Sequence, residues 1–184
     1  MPTERIQTQR LILRRFSRRD IPALTEAVQA SLPALNEWLP WAHPGYGKQD
    51  AGMYIRDSIE AWKEGKAYDW AIRRKGDPRR HLGNLSTWAI SRLTRTGEIG
   101  YWIRTDQTGL GLAAEATRAV VEVGFQELGF HKIVLRIAVG NDASERVAEK
   151  LGFAKEGVLR EELLIRGRWI DHTLYSLLEQ EFKG

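Results

Sequence analysis

Gly109 and Gly111, in the run TGLGLAAEA (Thr108–Ala116), stand between a strand-like segment, EIGYWIR (Glu98–Arg104), and a helix-like one. A glycine loop that opens directly into a helix presents bare backbone N–H groups to an anion. The chemistry it suits is capture of a phosphate-bearing ligand. Roughly thirty residues on, NDASERVAEKLGF (Asn141–Phe153) supplies a second strand-to-helix junction.

Three known uses of such a loop can be weighed. Gly109, Gly111 and Ala114 make G-x-G-x-x-A, which overlaps the dinucleotide fingerprint. That fingerprint belongs after the first strand of a domain, with an acid about 20 positions on and further βα units behind it. Asp142 lies too far on, and only one helix and a hairpin remain after it. The P-loop pattern G-x-x-x-x-G-K-[ST] is absent. A glycine turn that merely closes a strand-to-helix connection stays open as the plain alternative.

The elements that must position these residues are read from periodicity. RLILRRF (Arg10–Phe16) alternates like a strand, and Ser17 is placed to cap a helix carrying Ile21, Leu24, Ala27 and Val28 at helical spacing. Prolines 33, 40 and 44 with glycines 45 and 47 predict an irregular stretch from Ser31 to Asp50. A helix is expected over 51–64. AYDWAIRR, HLGNLSTWAI and EIGYWIR then read as three strands of an antiparallel meander. The helix after the glycine loop runs to about Leu128, with Leu112, Ala116, Ala119, Val120 and Val123 on one stripe.

KIVLRIAV (132–139) reads as a strand buried on both faces and parallel to its neighbour. Asn141 caps a helix to Leu151, Gly152 ends it, and strands over 153–165 and 169–178 turn at Arg166, Gly167 and Arg168. The sum is an α+β chain around one twisted mixed sheet, mostly antiparallel, of about seven strands.

At 184 residues, with 42% hydrophobic and 28% charged residues, the chain fits one domain over 1–184. There is no apolar run long enough for a membrane span, no apolar signal core at the start and no cysteine, so a soluble, cytoplasmic protein without disulfides or thiolate metal sites is expected. His43, His81, His131 and His172 lack metal-ligand spacing, so no metal is expected. Asp171 and His172 are strand neighbours whose side chains point to opposite faces. The net charge of +4 is mild. The basic clusters at 5–19 and 73–80 read as solvated faces, with steering of an anion or RNA as the alternative, and no direct nucleic-acid partner is expected. Seven tryptophans exceed the needs of a small core, which leaves some for a pocket.

EIGYWIRTDQTGLGLAAEA followed by AVGNDASERVAEKLGFAKEG resembles the GNAT superfamily of N-acetyltransferases, in its RimJ/RimL-like branch, which acetylates amino termini of ribosomal proteins. RLILRRF, the WLPW segment and the ending WIDHTLYSLLEQEF extend the resemblance over nearly the whole chain. It implies the GNAT fold and acetyl-CoA as the donor. The family's loop pattern, [Q/R]-x-x-G-x-[G/A], falls on Thr108, Gly109, Leu110, Gly111, Leu112 and Ala113. Thr108 departs from Gln or Arg, which leaves the pyrophosphate to backbone amides and the adjacent Gln107. The resemblance further implies that the strand at Trp102, Ile103 and Arg104 splays from the strand ending at Val139. The pantetheine arm would lie in that gap, held by backbone groups near Ile103.

The implied reaction is attack of a neutral amine on the thioester. Deprotonation at pH 7 costs about 1 kcal/mol for an α-amino group and about 4.6 kcal/mol for a lysine, so a modest base suffices for an amino terminus. Glu98 is the candidate base. Where many members of the family place a tyrosine on the last helix to protonate the departing thiolate, this sequence has Ala148. Ser144 resembles the serine proposed for that task, as a hydrogen-bond donor to the leaving sulfur. Asn141 is a helix cap that also touches the cofactor in this reading. Trp38, Trp41 and Tyr101 are the candidate wall of the acceptor pocket. The acceptor is a protein amino terminus or, alternatively, a small-molecule amine such as an antibiotic or polyamine. A non-catalytic coenzyme A-binding or RNA-associated module is the remaining alternative, and the chain is expected to be a monomer or a homodimer.

Overall fold

The alternating residues near the start form the strand Leu11–Arg15 (β2), which pairs with Arg5–Gln7 (β1). The computed structural model describes residues 1–183. β1 brings the sheet to eight strands rather than about seven, because its three residues carry no alternation that sequence patterning could detect. Ser17 opens a single 3-10 turn, not the long helix: the Asp20 carboxylate accepts from the Ser17 N–H at 2.8 Å and from Arg14 and Arg73.

The long helix is Ile21–Trp38 (α1), and it runs straight through Pro33, against the expectation of an irregular stretch from Ser31. Proline at that position removes one backbone rung. The buried stripe Leu24, Ala27, Val28, Ser31 and Leu35 continues across it, so packing outweighs the lost bond. Pro40 does act as a stop, holding Leu39 extended at φ −119° and ψ 120°. The second helix, Lys48–Glu64 (α2), starts earlier than 51 because the Asp50 carboxylate accepts from the Gly47 N–H at 2.8 Å; Gly65, at φ 69°, ends it.

The meander forms as expected from Tyr68–Arg74 (β3), Asp77–Ser91 (β4) and Thr96–Ile103 (β5). A helix, Leu112–Gln126 (α3), crosses to Lys132–Ala138 (β6), which lies parallel to β5. Asp142–Lys150 (α4), Ala154–Ile165 (β7) and Arg168–Leu178 (β8) complete the chain, and the sheet order is β1-β2-β3-β4-β5-β6-β8-β7. The turn between the last two strands has Arg166 at φ 50° and Gly167 at φ 75°.

The β5–β6 pairing covers only Thr96↔Lys132, Gly97↔Ile133 and Glu98↔Val134, after which the strands part. β6 is therefore not enclosed on both faces as its composition suggested; Arg136 keeps 44% of its side chain exposed where the gap opens. Two apolar cores lie on the two faces of the sheet. One gathers Leu13, Trp70, Ile72, Ile99 and Val120 on the α3 face, the other Phe16, Leu24, Val28, Ile55, Ala71 and Trp102 on the α1 and α2 face. Because side chains alternate along a strand, Glu98, Gly100 and Trp102 share the second face.

Candidate active site

The glycine loop folds as its composition dictates. Thr105–Gln107 makes one 3-10 turn, Gly109 takes φ 74°, and Gly111, at φ 72°, caps α3. Left-handed backbone at both positions suits glycine. The first backbone bond of α3 runs from Glu115 N to Gly111 O at 3.1 Å, so the N–H groups of Leu112, Ala113 and Ala114 precede the helical ladder. A Cβ built at Gly109 would meet nothing within 4 Å, so the loop faces open space. Such a turn fits an anionic group held by main-chain donors.

The loop closes one end of a cleft of about 470 Å³ between β5, α3 and α4. The structure brings Trp102, Ile103, Gln107, Thr108, Gly109, Gly111, Leu112, Ala113, Asn141 and Ser144 together on its walls. Two predicted members fall outside. Leu110 turns outward, its carbonyl accepting from Arg10 Nη1 at 2.9 Å. Arg104 is buried, its guanidinium bonded to Glu26 and Asp106, its N–H given to Leu82 O and its carbonyl accepting from Gln107 N. It anchors α1 and the loop rather than lining the cleft. Sequence reasoning missed Arg146 and Lys150, which also line it. Their spacing of four on α4 was the available signal. Lys150 Nζ lies 4.0 Å and Arg10 Nη2 3.7 Å from where a Gly111 Cβ would stand, which adds positive charge beside the loop.

Asn141 caps α4 as expected, its Oδ1 accepting from Ser144 N at 3.2 Å. The Ser144 carbonyl accepts from the Tyr101 hydroxyl at 3.3 Å, a bond that ties β5 to α4 across the gap. Burial pushes the Tyr101 phenol up to about 12, so it stays a donor at neutral pH.

A second cavity, of about 380 Å³, adjoins the first and is walled by Glu98, Arg136, Glu162 and His172 together with Trp38, Asn141 and Ser144. Glu98 is only 8% exposed, so it is no surface strand charge. Arg136 Nη1 lies 3.4 Å from Glu98 Oε2 and 3.4 Å from Glu162 Oε1. Burial raises the Glu98 pKa, opposed by the Arg136 charge and reinforced by Glu162. The arrangement is a buried carboxylate poised to accept a proton, beside a cleft that suits a phosphate-bearing ligand.

The predicted aromatic wall is split. Trp38 stands between the first two cavities, Trp41 lines a third, and Tyr101 lines all three.

Residues 10–154 match the family described as the acetyltransferase (GNAT) domain. The chain belongs to the GNAT acetyltransferases. The uncharacterized N-acetyltransferase YoaA of Bacillus subtilis (strain 168) is 30% identical over 95% of this chain and 96% of its own. The [ribosomal protein uS5]-alanine N-acetyltransferase of Escherichia coli (strain K12) is 27% identical over 96% of this chain and 92% of its own. In fold, the Mycobacterium smegmatis RimJ in complex with CoA-disulfide superposes with a TM-score of 0.89 at 23% identity, covering 98% of this chain and 89% of that one. These relatives put the chain in the RimJ/RimL-like branch. It is an acetyl-CoA-dependent N-acetyltransferase. Among the described residues, no group of three or more His, Asp or Glu could hold a metal ion, and no helix is long and apolar enough to cross a membrane.

Proposed function

We propose that this GNAT enzyme acetylates the α-amino group of a protein amino terminus, a ribosomal protein being the favoured kind of acceptor, and that it does so in the cytoplasm with residues 1–184 acting as one catalytic domain. The observation that carries the reading is Glu98. A single buried carboxylate with a raised pKa, next to the donor cleft, is a base of modest strength. That matches an α-amine, which needs about 1 kcal/mol of help at pH 7, and falls short of a lysine, which needs about 4.6 kcal/mol. The E. coli relative named for alanine acetylation of uS5 supports the same acceptor chemistry.

In this mechanism the glycine loop, Gln107 and the N-terminal amides of α3 hold the pyrophosphate of acetyl-CoA. Backbone groups of Trp102 and Ile103, exposed where β5 leaves β6, hold the pantetheine arm. The amine loses its proton to Glu98, directly or through water, and attacks the thioester carbonyl. As the C–S bond breaks, the Ser144 hydroxyl donates to the charge on the sulfur and relays to it the second proton lost by the acylated nitrogen, so that coenzyme A leaves as the thiol. Asn141 fixes the first turn of α4 and with it the serine.

The decisive experiment is a thiol-release screen with acetyl-CoA. It sets short peptides bearing free amino termini against polyamines and aminoglycosides, with mass spectrometry to place the acetyl group. Acetyl on the α-amine of peptides is expected. Turnover of small amines alone would move the acceptor to that class, and no turnover with any amine would overturn the reading.

A second measurement isolates the donor end. Ser144→Ala should lower kcat about tenfold, the weight of one hydrogen bond to a charged atom, while calorimetric Kd for acetyl-CoA stays within about twofold. An unchanged kcat would take the serine out of the chemistry.

A further inference from the structure

The third cavity, of about 530 Å³, has no role in the chemistry so far described. It lies between α1, α2 and the sheet, and its walls are chiefly aromatic: Trp41, Tyr46, Tyr54, Trp88 and Trp102, with Met53 at the solvent side. We propose that it is the specificity pocket for the acceptor, taking a large uncharged apolar side chain, best an aromatic one, from the residue whose α-amine is acetylated. This rests on the amino-terminal reading above and narrows it.

Three observations fix the occupant. The first is continuity. The pocket shares Leu39, Trp88, Gly100 and Tyr101 with the Glu98 cavity, so an amine beside Glu98 has its substituent directed here. Gly100 makes that junction possible. A Cβ there would stand 2.4 Å from the Trp88 ring, so glycine leaves room for the indole against β5, on the wall the two spaces share.

The second is charge. Apart from its tyrosines, the ionisable groups on the walls, among the described residues, are His43 and Asp50, which lie 3.6 Å apart with the histidine 48% exposed. Nothing in the interior would compensate a buried lysine, aspartate or glutamate of the acceptor.

The third is size. A serine or threonine side chain would leave most of the volume unfilled. A ring or a long aliphatic chain gains by displacing water from these apolar walls.

The test is a series of tripeptide amides that differ only in the first residue, Phe, Leu, Ala, Ser, Lys or Asp, with thiol release read as kcat/KM. Phe and Leu should exceed Ala and Ser by about tenfold or more, with Lys and Asp lowest. Trp41→Ala, at a 41% exposed position outside the donor cleft, should cut the Phe-to-Ser ratio about threefold or more, while calorimetric affinity for acetyl-CoA holds. Met53→Ala should move the ratio in the same direction.

Ser or Ala turned over as well as Phe would overturn the pocket assignment and leave the amino-terminal reading standing. An unmoved ratio in both variants would overturn the assignment as well. No thiol release with any peptide would overturn the amino-terminal reading and this inference with it.

Discussion

Glu98→Gln should lower kcat/KM for a peptide amino terminus by about a hundredfold or more and remove the Glu98 step from the acidic limb of the pH–rate profile, leaving only the titration of the amine itself. The carboxylate works as a base only when ionised. Burial raises its pKa, so in the parent enzyme activity should fall with decreasing pH at a point above the usual carboxylate range. Glutamine cannot titrate, and that step should be absent.

The sign of the stability effect separates chemistry from folding. A raised folded-state pKa means that ionised Glu98 costs stability at neutral pH, a cost that fades as pH falls through that pKa. Glutamine carries no such cost, and Arg136 keeps Glu162 as its partner. The variant should therefore melt no lower than the parent at pH 7. A pH profile unchanged in shape and height would remove Glu98 from the role of base.

Gly83→Ala should be the most damaging single-methyl change for the fold. Gly83 sits opposite Ile103 in the β4–β5 ladder at φ 151°, and a Cβ there would stand 2.0 Å from the Trp102 carbonyl oxygen. Backbone, not a flexible side-chain end, would have to move. The neighbouring bond from Arg104 N to Leu82 O, at 2.8 Å, would be strained with it. A loss of about 4 kcal/mol is expected, which for a chain of this size lowers the melting temperature by roughly 10 °C. Gly76→Ala is the control, since nothing lies within 4 Å of its added carbon. If circular dichroism finds the two variants melting together, the close approach of β4 to β5 does not limit stability. Acetyl-CoA should also bind Gly83→Ala more weakly, because Trp102 and Ile103 border the donor cleft.

The glycine loop and the cap of α4 were legible in the chain because their rules are local. The glycines at 109 and 111, both left-handed, and the asparagine cap at 141 each act within a few residues, and the cap forms as expected. Glu98 could be singled out, but not its surroundings. Arg136 and Glu162 reach it only because β6 inserts beside β5 and β7 lies beyond β8, an order no local pattern encodes. The same holds for Trp88 on Gly100, which meet through pairing between β4 and β5. Pro33 misled in the opposite way. A strong local rule was outweighed by the apolar stripe of α1. Arg104 was placed in the cleft by position alone, whereas the distant Glu26 and the nearby Asp106 decide where its side chain points.

The three-rung contact between β5 and β6 gives the sheet the geometry of a V. Two plates, β1 to β5 and β6 to β8, are joined at one end and diverge toward the other. When such a figure opens or closes, displacement grows with distance from the vertex. Glu98 pairs with Val134 on the last rung, at the vertex, whereas Ile103 and Ala138 lie out along the arms. The arms can thus spread to admit or release a long, flexible molecule while the carboxylate keeps its position beside Arg136. On the proposed mechanism, passage of the donor and placement of the proton acceptor belong to opposite ends of that V and need not compete.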